Sequence, residues 1–73
     1  MIHIKKLKFF HAGRYVVFDD GIREKQIGRI KRWNDTWIFV VYKCGEDWED
    51  FKDYTACATK PEDLDFCQRG ATL

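Results

Sequence analysis

The stretch from Ile27 to Lys43 constrains this chain more than any other. It runs Ile-Gly-Arg-Ile-Lys-Arg-Trp, then Asn34-Asp35-Thr36, then Trp-Ile-Phe-Val-Val-Tyr-Lys. Two runs rich in β-branched and aromatic residues around a short polar turn are the local signature of a β-hairpin. Asn34 and Asp35 suit the turn because both bond their own main chain and tolerate left-handed backbone. The second run, Trp37 to Lys43, is apolar at nearly every position. It predicts a strand buried on both faces, or buried on one and offering aromatics on the other. Gly28 in the first run marks a bulge or a close backbone approach.

Other strands are expected on either side. Arg14 to Phe18 reads as a strand ended by the turn residues Asp19-Asp20-Gly21. Ile22 to Gln26 is a charged connection. Tyr54 to Ala58 and Asp65 to Cys67 are short strands separated by Thr59-Lys60-Pro61-Glu62-Asp63-Leu64. That hexapeptide predicts one helical turn, capped by Thr59, with Pro61 early and Glu62 and Asp63 at the positive end of the dipole. Residues 1–12 are expected to be an N-terminal arm or edge strand, with Phe9-Phe10-His11-Ala12-Gly13 a hydrophobic lead-in to a glycine turn. Residues 68–73 are expected to fray.

Seventy-three residues allow one domain with one small core. Three Trp, three Tyr and six Phe are its means of burying enough area. No apolar run nears the roughly 20 residues of a membrane span, and Lys5, Lys6 and Lys8 precede no apolar signal region. The cytoplasm is the expected compartment, with no membrane partner. Cys44, Cys57 and Cys67 are odd in number and lack CxxC spacing. They predict reduced side chains rather than a disulfide framework or a zinc site.

The order of elements is five short strands, a charged loop after the first, a tight central hairpin and a helical turn before the last strand. It resembles SH3-like barrels in the broad sense that covers SH3, Tudor and KOW-type domains. The residues carrying the resemblance are Gly13-Arg14-Tyr15-Val16-Val17-Phe18, Gly28-Arg29-Ile30, Phe39-Val40-Val41-Tyr42 and Pro61-Glu62-Asp63-Leu64. Through Val-Val-Tyr-Lys-Cys and Tyr-Thr-Ala the chain also resembles small uncharacterised proteins of phages and mobile elements, which implies no defined activity. The expected fold is therefore all-β, a small five-stranded SH3-like barrel spanning residues 1–73 as a single domain.

Nothing in the sequence assembles a catalytic set: there is no GxSxG, phosphate-cradling glycine loop or HExxH. An enzyme is not expected, nor is a cofactor or a metal. Charge is more informative. Residues 1–35 hold nine Lys or Arg against four Asp or Glu, whereas residues 36–73 hold four against eight. The acidic half concentrates in Glu46, Asp47, Glu49, Asp50 and Asp53, interrupted by Trp48 and Phe51 at helical spacing. Such a loop predicts a protein-binding surface whose carboxylates steer towards a basic partner and whose rings anchor it. The alternative is nucleic acid, as a single strand or RNA, bound by Arg29, Lys31, Arg32 and Trp33. Period-two alternation would place Arg29 and Lys31 on one face and Arg32 on the other. The rings Trp33, Trp37, Tyr42, Trp48, Phe51 and Tyr54 either fill the core or form a platform. A cage for a cationic group would need three or four of them around one point with an acid nearby. The partner's identity and the oligomeric state do not follow from the sequence.

Overall fold

A computed structural model describes residues 1–42 and 48–67, Trp48 by its backbone alone. Cys44, Glu46, Asp47 and the expected frayed tail lie outside the described residues. The strands are β1 (Tyr15–Phe18), β2 (Gln26–Trp33), β3 (Ile38–Val41), β4 (Cys57–Thr59) and β5 (Leu64–Phe66). They form one antiparallel sheet in the order β4-β3-β2-β1-β5. The protein is all-β, and its helical content in the described residues is short 3-10 turns. β4 and β5 are the two edges of the sheet, which is open between them among the described residues.

The central hairpin forms as its residues dictate. Of the two properties expected of its turn residues, bonding to the main chain is the one used: no described residue other than glycine has a positive φ, and the Asn34 carboxamide holds the turn. Its Oδ1 accepts from the backbone N–H of Thr36 at 2.8 Å and of Trp37 at 2.7 Å. Asn34 N–H closes the loop on the Trp37 carbonyl at 3.0 Å.

The register of this hairpin slips between Ile30 and Arg32. Before the slip Ile30 faces Val40 and Arg29 faces Val41; after it Arg32 faces Phe39 and Trp33 faces Ile38. One extra residue resets the alternation of faces. Arg32 therefore shares the face of Arg29, contrary to the simple period-two reading, and Trp33 turns back to pack on the core. The bulge lies there and not at Gly28. Gly28 is the close approach: a Cβ on it would stand 2.5 Å from Val40 Cγ1 and 2.8 Å from the Val41 carbonyl oxygen.

One face of the sheet carries the main core. Val16, Ile30, Ile38, Val40 and Leu64 are fully buried there and Ile2 nearly so. Each such side chain contributes about 1.5–3 kcal/mol. Ile2 comes from the N-terminal segment, which is neither a strand nor a loose arm. It makes 3-10 turns at Ile4–Lys6 and Phe9–His11, and Ile4 and Leu7 pack against the same core. Ile2 N–H donates to the Pro61 carbonyl at 2.9 Å, and the terminal ammonium pairs with Asp65. The opposite face is covered by the 3-10 segment Trp48–Asp53, where Phe51 packs on Val41 with Tyr54 and Ala56.

The turn before β5 is Pro61–Asp63, with Lys60 in the capping position. Thr59, the expected cap, is buried in β4 opposite Ile38. Its hydroxyl is engaged there, as described next.

Candidate functional site

Part of the basic set meets Phe51 of the acidic set on the face of the sheet opposite the main core. Arg29 donates through Nε to the Gly13 carbonyl at 2.8 Å. Its guanidinium lies between the rings of Phe51 and Tyr15, 4.1 Å and 4.8 Å from their centroids. Lys31 Nζ donates to the Tyr54 carbonyl at 2.9 Å. Both cations are half-buried and hold the segment around Phe51 to the sheet. Arg32 is exposed and lies over the Phe39 ring at 5.2 Å, while Trp33 is half-buried.

Phe51 is not an outward anchor. It is only 4% exposed, because the guanidinium of Arg29 and the side chain of Val41 cover it. Glu49, Asp50 and Asp53 are at the surface. Glu46, Asp47 and the Trp48 side chain lie outside the described residues. The segment that carries these carboxylates thus lies against basic β2, held by the Arg29 guanidinium on the Phe51 ring and by Lys31 on the Tyr54 carbonyl.

A concave site lies elsewhere. A cleft of about 590 Å³ is walled by Phe18, Trp37 and Tyr42. Gly28 shapes it: with no Cβ there, the Tyr42 ring settles over β2, its Cδ1 2.9 Å from where that carbon would stand. Tyr42 then meets Phe18 edge to face, with centroids 6.0 Å apart. The Tyr42 and Thr59 hydroxyls are 2.8 Å apart, and Thr59 Oγ1 donates to the Cys57 carbonyl at 3.2 Å. The phenol therefore donates to Thr59. Burial pushes the Tyr42 phenol up to about 12. It stays protonated near neutrality and serves as a fixed donor.

Charges of both signs complete the lining: the carboxyls of Asp20 and Asp63, and the cations Arg23 and Lys60. Asp20 is rigidly placed. Its Oδ1 accepts from the backbone N–H groups of Arg23 and Ile22, each at 2.9 Å. Those bonds, that of Arg23 foremost, hold its carboxyl below the ordinary carboxylate range.

No family model, curated protein or solved structure matches the chain.

What this arrangement can do follows from its groups. Ring faces and edges accept an apolar or aromatic side chain, and the flanking charges orient it. Neither histidine lines the cleft. Among the described residues no group of three His, Cys, Asp or Glu side chains is placed to hold a metal, and no helix is long and apolar enough to cross a membrane. Trp37 and Tyr42 belong to the aromatic set visible in the sequence. Phe18 does not: only the return of β3 beside β2, and the gap at Gly28, bring it to Tyr42.

Proposed function

We propose that the chain is a non-enzymatic protein-interaction module of SH3-like build, and that it receives a partner's extended segment in the Phe18–Trp37–Tyr42 cleft. The strand order supports the SH3-like reading: four strands meander, and the fifth, after a 3-10 turn, returns beside the first. The observation that carries the functional reading is the cleft, whose volume of about 590 Å³ falls in the range of ligand sites. Its Tyr42 phenol already directs its proton to Thr59 and Asp20 is committed to its own turn, so neither is poised to exchange protons with a bound molecule. The burial of Phe51 moves the contact away from the acidic segment. Asp63 retains the preference for a basic residue in the partner, and Lys60 meets an acidic one beside it.

A random-peptide display library selected on the whole chain tests this. Enriched peptides should shift the amide resonances of Phe18, Trp37, Tyr42 and Thr59. Trp37→Ala should weaken their binding on the order of tenfold or more, as loss of an aromatic anchor does. Selection that enriches no peptide over a blank sinks the proposal, and so do shifts confined to the Trp48–Asp53 face.

A further inference from the structure

Among the described residues, the most exposed rings lie at a different corner. Phe9 is 89% exposed, Phe10 59% and Phe66 40%. They are not scattered. Phe9 meets Phe10 edge to face at 5.7 Å, Phe10 meets His11 at 4.4 Å, and His11 stacks on Phe66 at 5.4 Å. The Arg14 guanidinium lies over the other end of the row, 5.1 Å from the Phe66 centroid. The row is built, not frayed. Lys8 N–H donates to His11 Nδ1 at 2.9 Å, His11 N–H donates to the Lys8 carbonyl at 2.8 Å, and Arg14 N–H donates to the His11 carbonyl at 3.1 Å. Phe66 is fixed by β5, opposite Val16 of β1.

The charged residues that neighbour Phe9, Phe10 and His11 in the sequence are all basic. Lys5, Lys6, Lys8 and Arg14 are all exposed. No Asp or Glu occurs before Asp19. The carboxylate that β5 brings near, Asp65, pairs with the terminal ammonium. Uncovered rings left in contact with water are unfavourable unless something covers them. Rings in a row, edged by cations and free of unpaired carboxylates, match an unstacked polynucleotide: bases cover ring faces and phosphates meet the ammonium and guanidinium groups. A duplex hides its base faces and offers only the phosphates. We infer that the surface formed by Phe9, Phe10, His11, Arg14 and Phe66 binds single-stranded nucleic acid without strong sequence preference. This site is separate from the cleft and does not depend on it.

Fluorescence anisotropy with labelled oligo-dT, oligo-U and a mixed-sequence duplex, titrated with the whole chain at rising salt, tests the inference. Both single strands should bind more tightly than the duplex. Affinity should fall with salt at a log–log slope of about −0.7 per phosphate contacted. The double variant Phe9→Ala, Phe10→Ala removes solvent-facing rings, so it should melt like the wild type while losing on the order of tenfold or more in single-strand affinity. Lys5→Glu with Lys8→Glu should flatten the salt slope. Four results would overturn the inference: no anisotropy change at low salt with either strand, equal binding by the double phenylalanine variant, or loss of binding in Arg32→Glu with the corner variants unaffected. The fourth is capture by anionic lipid vesicles, abolished by the phenylalanine variant, with no strand bound; that identifies a membrane surface instead.

Discussion

At the scale of the residue, Gly28 decides more than its size implies. It is needed for space rather than for backbone freedom, since a Cβ would meet Val40, the Val41 carbonyl and the Tyr42 ring within 3 Å. Gly28→Ala should therefore destabilise the fold by about 1–3 kcal/mol, the usual cost of overpacking, seen as a lower denaturation midpoint. It should also push the Tyr42 ring off β2 and abolish the edge contact with Phe18. Tyr42 itself supplies a pH signature. Its folded phenol is raised to about 12, above the ordinary value of 10. A raised value favours the protonated form in the folded state. The contribution to stability is complete below pH 10 and is lost as the pH rises through the folded value. In an alkaline absorbance titration, Tyr42→Phe should delete the ionisation step near pH 12 that the wild type shows. Asp20 runs the other way. Its lowered carboxyl contributes above the ordinary carboxylate range, and that contribution disappears as the pH falls through its folded value.

At the scale of the element, the hairpin was legible because strand propensity, turn residues and alternation all agree over Ile27–Lys43. Asn34 was legible as a turn residue through its side chain, which bonds two main-chain N–H groups as expected, while the left-handed backbone such residues tolerate is not used. Asn34→Ala should cost about 1 kcal/mol, in line with other side-chain caps. Asn34→Gly should cost no less, since no positive φ is there to relieve; comparing the two midpoints checks the mechanism. The bulge was not legible. Nothing in Arg29-Ile30-Lys31-Arg32 marks an extra residue, and only pairing with β3 exposes it. That hidden residue reverses the face of Arg32 and turns the basic strand into a clasp. Arg29 and Lys31 then serve the fold, holding the Phe51 segment to the sheet. The acidic loop allowed two readings, rings that pin it to the sheet or rings that anchor a partner, and Phe51 takes the first. Spacing places Trp48 and Phe51 on one side of a turn, but it does not say whether that side faces outwards or onto a neighbouring strand.

At the scale of the whole molecule, an open five-stranded sheet of short strands has two faces to cover and too few side chains to do so alone. The chain meets this with its flanks. Trp48–Asp53 covers one face, and the N-terminal segment completes the other by inserting Ile2 among Val16, Ile30, Ile38, Val40 and Leu64. The sequence gives Ile2 no mark beyond weak alternation with Ile4; its importance lies in where the 3-10 turns deliver it. If the segment completes the core, Ile2→Ala should cost about 2–5 kcal/mol, the range for emptying a buried aliphatic site. That is a large share of the 5–15 kcal/mol typical of whole domains. In a domain of this length each kcal/mol lowers the melting temperature by about 4–8 °C, so a drop on the order of 10 °C or more should be plain in a thermal melt. Lys5→Ala and Lys6→Ala, at exposed positions of the same segment, should stay within about 0.5 kcal/mol of the wild type. A loose arm would show no difference between Ile2 and the two lysines. A segment that closes the core separates them, and because the same 3-10 turns hold the Phe9–Phe66 row, Ile2→Ala should loosen that surface along with the fold.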